Sequence, residues 1–300
     1  MSANGNWSDM QPTETLELSR ESIFTEDLLP LFSKYTGADK GGTLVDLGCG
    51  TGTFSRYLTK GMRGNGKVIG VDLDTAFLDF ARTKAEEQGL SDILEFKKSN
   101  VYELPFEDGS IDSITDHTLL INLDDPDRCI KEELRVLKDG GTISTATFIW
   151  GYFPPQRLIS SPEYDPLVKT QATMNKIYKE RIFPQAPIGA NDHNVYSIME
   201  RYTRLGVKDV QINGLFPLFS PDDSRYLGLR KRWLTDMYKL QRWEVDNFLK
   251  NLSQYESYGL TAEELEMAAE LLEKRYNYEL ENTTWILFNG IEIIISGKKC

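Results

Sequence analysis

Cysteine is scarce in this chain: among 300 residues only Cys49, Cys129 and Cys300 occur, and no C-x-x-C pair. That excludes a disulfide framework and a structural zinc site, and it fits a reducing cytoplasm. Histidine is rarer still, with His117 and His193 the only two. No apolar run approaches the roughly 20 residues needed to span a bilayer. Residues 1–20 are polar and acidic, without the apolar segment of a secretion signal, so neither export nor a membrane partner is expected. Cations are also in deficit, 34 Lys and Arg against 46 Asp and Glu, for a net charge of -12. Neutralising phosphates would require a cationic face assembled locally, so nucleic acid is not expected as a partner. Internal repeats and low-complexity tracts are absent as well.

What is present is organised around Val45-Asp46-Leu47-Gly48-Cys49-Gly50-Thr51-Gly52, an acid and three alternating glycines between an apolar strand and a helix. Glycine lets the backbone bend sharply or lets a ligand approach within contact distance, so the segment reads as a nucleoside-cofactor turn. A nicotinamide fingerprint would place its third glycine at position 53, which is Thr53. Asp46 would repel a pyrophosphate yet accept hydrogen bonds from an ammonium group, which favours a cationic amino-acid nucleoside. Cys49 reads as a small side chain tolerated beside that ligand rather than as a reactive thiol. Lys67 to Asp72 is the next strand, and its terminal acid lies about twenty residues past the turn, where a β-α-β unit sets a carboxylate against ribose hydroxyls.

Beyond these two segments, Ser99 to Asp112 and Arg135 to Gly141 complete an ordered set over residues 43–148. With them the chain resembles the class I S-adenosylmethionine-dependent methyltransferases of small-molecule type. It departs from that pattern where Asn100 replaces the usual acid and Asp139 the usual proline. The resemblance implies S-adenosyl-L-methionine as cofactor. Asp46, Gly48, Cys49, Gly50 and Gly52 would shape its methionine end, Asp72 and Leu73 would hold the ribose, and Asn100 with Val101 the adenine. The implied fold is α/β: a Rossmann-like, doubly wound, seven-stranded, mostly parallel sheet with an antiparallel last strand and helical lid insertions.

Periodicity supplies the elements. Strands are expected at 43–48, 67–72, 93–98, 111–116 and 141–148, and helices at 53–60, 75–88 and 126–138. Asp125-Pro126 is an N-cap with proline in the first turn, and Gly140 supplies a left-handed stop. Thr261-x-x-Glu264 is a capping box opening a helix over 262–279. Residues 1–20 read as a flexible arm, and 22–35 as a helix interrupted by Pro30. The rest, 21–300, reads as one methyltransferase domain. Its cofactor core is 40–149, its lid insertions 150–195 and 220–282, and its terminal strands 207–215 and 286–296.

Ligands in open α/β sheets sit beyond the carboxyl ends of the strands. That points to Asp116 and His117 after the fourth strand, Asp116 toward the cofactor, and to Trp150, Tyr152 and Phe153 after the fifth, on the substrate side. His117, whose ordinary pKa is about 6.5, could remove a proton from the acceptor or simply hydrogen-bond its surroundings. His193 in Asn191-Asp192-His193-Asn194 reads as a turn residue. Asp112, Asp116 and His117 are too sparse for a magnesium site, so no metal is expected. The basic run Arg225 to Trp233 reads as a solvated helix face before it reads as an anion clamp. The expected activity is methyl transfer to a small-molecule acceptor by in-line displacement. Protein or peptide methylation, a non-catalytic cofactor-binding protein and a nicotinamide oxidoreductase are the alternatives. The sequence leaves a homodimer open.

Overall fold

The structure is a computed structural model, and it describes residue 8 and residues 13–21, 23–149, 162–177, 180, 195–215, 218–284, 288–289 and 291–300. Two helices, α1 (Thr13–Glu21) and α2 (Leu29–Thr36), precede an alternation of strands and helices. It runs β1 (Gly42–Leu47), α3 (Thr53–Gly61), β2 (Gly66–Asp72), α4 (Thr75–Glu87), β3 (Leu94–Lys98), β4 (Ile111–His117), α5 (Pro126–Val136) and β5 (Leu137–Ile149). Then come α6 (Asp165–Ile177), α7 (Val195–Arg204), β6 (Lys208–Leu215), β7 (Leu218–Phe219), α8 (Arg230–Lys250), α9 (Ala262–Glu281), β8 (Phe288–Asn289) and β9 (Ile291–Lys298).

The chain divides into two compact units. The first, Met1–Tyr152 with Asp192–Pro217 and Gly290–Cys300, contains a seven-stranded sheet in the order β3-β2-β1-β4-β5-β9-β6. Strands β1 to β5 run parallel to one another, whereas β9 is antiparallel to both β5 and β6. Both faces are apolar because both are covered. Leu44, Val68, Leu94 and Ala146 meet Phe32, Phe54, Leu58 and Leu78 on one side. Val45, Ile69, Ile114 and Ile143 meet Ile130, Val136, Ile198 and Tyr202 on the other. The winding reverses between β1 and β4, so the crevice beyond their carboxyl ends is the fold's natural ligand site.

The second unit, Phe153–Asn191 with Leu218–Asn289, has its own core, in which α6, α8 and α9 bury Leu167, Met174, Val245, Phe248, Leu265 and Leu272. Most of the insertions expected at 150–195 and 220–282 fall in this unit. The basic run there is engaged in pairing: Arg225 pairs with Asp223 at 2.8 Å and Arg230 with Asp222 at 2.7 Å. Arg230 also donates to the Leu280 and Asn282 carbonyls, satisfying the end of α9. The Thr261 capping box is present. Among the described residues no helix is long and apolar enough to cross a membrane.

Local expectations needed revision at several places. Residues 13–20 of the expected flexible arm belong to α1, with Glu17 and Leu18 buried. Pro30 lies in the first turn of α2 and starts that helix instead of interrupting one, since its missing N–H is not needed there. Helix α5 ends at Val136, and Gly140 takes its left-handed φ of 75° inside β5, where the pairing shifts from Ile111↔Leu137 to Ser113↔Thr142. The last expected strand is divided into β8 and β9.

Helix α1 is fastened to the start of α3 by a buried charge. Arg56 pairs with Glu17 and donates to the Thr51 carbonyl at 2.8 Å, while the Thr53 hydroxyl donates to the other Glu17 oxygen. Glu17→Ala strands a buried guanidinium, so it is expected to cost about 3–5 kcal/mol of unfolding free energy. Urea unfolding checks this, and a loss below about 1 kcal/mol, the range of an exposed pair, would contradict it.

Candidate functional site

The crevice at the carboxyl edge of the first unit's sheet holds a cavity of about 200 Å³. That is below the range of about 300 to 1,000 Å³ in which ligand sites commonly fall. Strand β1 and the turn after it contribute Asp46, Gly48, Cys49 and Gly50; Asp72 at the end of β2 and Leu73 and Asp74 after it contribute likewise. Asn100 and Val101 follow β3, and His117 ends β4.

The turn is held by hydrogen bonds from its own backbone. Asp72 accepts from the Gly50 N–H at 2.8 Å and from the Asp74 N–H at 2.9 Å, tying the two β-to-α turns together. Gly50 has a φ of 52°, in the left-handed region. A Cβ on it would approach Leu16 of α1 to 3.2 Å. Asp74 caps α4, accepting from Ala76 N at 3.0 Å. Asn100 accepts from Tyr102 N at 3.0 Å, which leaves its amide nitrogen and one lone pair of its oxygen for a ligand.

Two of the expected cofactor residues do not line the cavity. A side chain on Gly52 would collide with Phe96 at 2.6 Å and Ala81 at 2.9 Å, so that glycine serves the packing of α3 on the sheet. Asp116 is fully buried, and its carboxylate accepts from Leu119 N at 2.9 Å and Leu120 N at 3.3 Å, closing the turn after β4. Trp150, Tyr152, Phe153 and His193 lie outside the described residues.

The electrostatics are those of acids withdrawn from water. Burial raises Asp46 to about 8, with Ser55 donating to it at 2.5 Å and pulling the other way. Burial likewise raises Asp116 to about 7 and lifts Asp72 above the usual carboxylate range. None of the three has a cation among the groups that shift it. Cys49 is pushed well up by burial and by Asp72, which makes it an inert thiol. His117 is pushed well below its ordinary value by burial, so it is neutral.

Several wall residues had no sequence signal. Leu16 and Arg20 come from α1, and Thr118, Leu119, Asn122, Leu123 and Asp124 from the loop after β4. Thr118 has a φ of 61°, a strained conformation for a β-branched residue, and strain of this kind gathers at ligand sites. Its N–H donates to the Ala146 carbonyl at 2.7 Å, and its hydroxyl accepts from Arg20 at 3.1 Å. Among the described residues no group of three or more His, Cys, Asp and Glu side chains could hold a metal ion.

The chain is similar to known methyltransferases. A model described as a methyltransferase domain matches residues 45–145. The ubiquinone/menaquinone biosynthesis C-methyltransferase UbiE of Vibrio campbellii is 27% identical over 195 residues, 65% of this chain and 70% of that protein. The 2-phytyl-1,4-naphtoquinone methyltransferase of Trichormus variabilis is 33% identical over 138 residues, 46% of this chain and 58% of that one. Among solved structures, phosphoethanolamine N-methyltransferase 2 of Haemonchus contortus aligns with a TM-score of 0.54 at 16% identity. The alignment covers 100% of this chain and 60% of that chain, a likeness of fold.

The residues present fit the cofactor of that family. Buried carboxyls without a protein cation suit a ligand that carries positive charge, and the open glycine turn admits its backbone-close end. With the doubly wound sheet, the methyltransferase domain over 45–145 and named methyltransferases as relatives, this chain is an S-adenosylmethionine-dependent methyltransferase of class I.

Proposed function

We propose that this enzyme transfers a methyl group to a small, largely apolar or aromatic acceptor, with its cofactor held by Asp46, Gly48, Gly50, Asp72, Leu73, Asn100 and Val101. The observation that carries the reading is the single cavity wall on which these residues and His117 meet. The Vibrio and Trichormus relatives, a ubiquinone/menaquinone biosynthesis C-methyltransferase and a 2-phytyl-1,4-naphtoquinone methyltransferase, support the acceptor class. The cofactor supplies a methyl group on a sulfonium. The protein's share is to align the acceptor, exclude water and take up a proton where the acceptor loses one, and His117 is the group on the wall suited to that. The expected role of Trp150, Tyr152 and Phe153 as acceptor contacts belongs to the same proposal. The free thiols of Cys49, Cys129 and Cys300 support a reducing cytoplasm as its place of work. The net charge of -12 supports the absence of a nucleic-acid partner.

Calorimetric titration with S-adenosylhomocysteine is expected to give binding that Asp72→Ala weakens at least about tenfold, the loss of more than one charge-assisted hydrogen bond. A nicotinamide dinucleotide should not bind. Methyl-acceptor screening with quinols and other aromatic compounds then tests the substrate. Turnover on a peptide pool with none on any small aromatic would overturn the acceptor class.

Asp46 adds a pH dependence whose sign follows from its pKa of about 8. At pH 7 the empty cavity holds this carboxyl protonated, whereas a bound cation favours the carboxylate. Binding of the methyl donor is therefore expected to release protons at pH 7, and affinity to rise with pH until about 8 and then level. Titrations in buffers of different ionisation enthalpy measure the released protons. An affinity flat from pH 6 to pH 8, or a rise that survives in Asp46→Asn, would refute this role of Asp46.

A further inference from the structure

His117 does not stand alone at the end of β4. Its Nε2 lies 3.0 Å from Oε1 of Glu292, a residue of β9 that is entirely buried. The two side chains meet across β5. His117 pairs in register with Ala146, Ala146 with Ile294, and Phe148 with Glu292, so His117, Ala146, Ile294 and Glu292 share one face of the sheet. Ala146 supplies only a methyl group on that face, which is what lets a histidine on β4 reach a glutamate two strands away.

Among the described residues nothing else satisfies this carboxyl. Neither Glu292 oxygen has a hydrogen bond of full geometry among the described residues. A carboxyl out of water needs a partner, and the polar groups set against it are His117 and the Arg20 guanidinium of α1. Two rings lie beside His117, Phe24 at 5.0 Å and Phe54 of α3 at 5.7 Å between centroids. Arg20 is the charged group that shifts His117, and Asp116 precedes it on β4 with its side chain on the opposite face. Both side chains are buried, and His117 belongs to the cavity wall.

We propose that Glu292 is the positioning residue of the methyl-transfer site: through Nε2 it holds the His117 ring and determines which of the two ring nitrogens carries a proton. This inference rests on the proposed use of His117 in proton removal. In the empty cavity the pair holds one shared proton, the carboxyl donating to Nε2, because burial raises Glu292 well above and lowers His117 well below their usual values. Loss of that proton leaves a carboxylate that accepts from Nε2–H, and the other ring nitrogen then offers its lone pair as a base. Arg20, lowered only to about 10 and so still charged at neutral pH, favours that second state, and so does any cation entering the cavity. In the reaction the acceptor's X–H proton passes to this nitrogen. The electron pair of that bond forms the bond to the methyl carbon, and the pair of the broken sulfur–carbon bond stays on sulfur.

Histidine-selective 15N NMR reads the tautomer directly and requires neither acceptor nor turnover. A His193→Gln background leaves His117 as the one signal. The wild-type dyad is expected to keep its proton on the nitrogen away from Glu292 at neutral pH and to switch to the Nε2–H tautomer as pH rises. Glu292→Gln is expected to abolish the switch while leaving the circular dichroism spectrum and S-adenosylhomocysteine binding within twofold of the parent. Glu292→Asp should restore the switch in part. With an acceptor in hand, Glu292→Gln should lower kcat about 10–100-fold at unchanged KM, the range of a lost acid–base contribution. A tautomer that ignores both pH and Glu292→Gln would overturn the proposal even if methyl transfer is confirmed. Failure of S-adenosylhomocysteine to bind the parent would instead count against the functional reading, and the tautomer measurement would still decide the dyad.

Discussion

Carboxyl groups buried without a cation are costly, and the carboxyl edge of this sheet gathers them. Asp46 ends up in the interior of β1, Asp72 at the tip of β2 and Asp116 near the end of β4, with Leu47 paired directly to Asp116. Desolvation pushes all three up, and Asp116 and Asp72 add to the pressure on Asp46. The fold offsets part of this with backbone N–H groups from Gly50, Asp74 and Leu119 and with the Ser55 hydroxyl. What remains is a cavity biased toward positive charge, and that bias fits a methyl donor on sulfonium. The parallel sheet makes it feasible, because it aims the ends of β1, β2 and β4 at one crevice.

The same cavity has a second electrical pole. Arg20 of α1 brings a positive charge to the wall beside His117 and Thr118, and Glu292 of β9 lies against His117. Helix α1 links the poles. Its Glu17 is locked to Arg56 and Thr53 at the start of α3, while its Leu16 and Arg20 face the cavity. The turn conformation, the first turn of α3 and the position of Arg20 are thereby coupled through one buried ion pair.

Much of the fold was legible in the sequence for a local reason. Runs such as Thr43 to Leu47 and Lys67 to Val71, interleaved with amphipathic helices, are covered on both faces in a doubly wound sheet. Caps at Asp125 and Thr261 depend only on residues three positions away. Errors came where a local signal has two structural readings. Proline breaks a helix from within and starts one from its first turn, so Pro30 could be read either way. A glycine with positive φ ends a helix or kinks a strand, so Gly140 could too.

The sequence by itself determined the β-α-β order, the glycine turn after β1 and the carboxylate at the end of β2, because each is written within one or two adjacent elements. Tertiary structure decided which groups share the cavity. Periodicity says which face a residue occupies but not which residue lies opposite, so nothing in the sequence brings Glu292 to within 3.0 Å of His117 or sets Arg20 beside Thr118. Those contacts depend on strand order, on β9 entering antiparallel beside β5, and on the small side chain of Ala146 between them. The chain separation is 98 residues for Arg20 and Thr118, a distance that only packing closes.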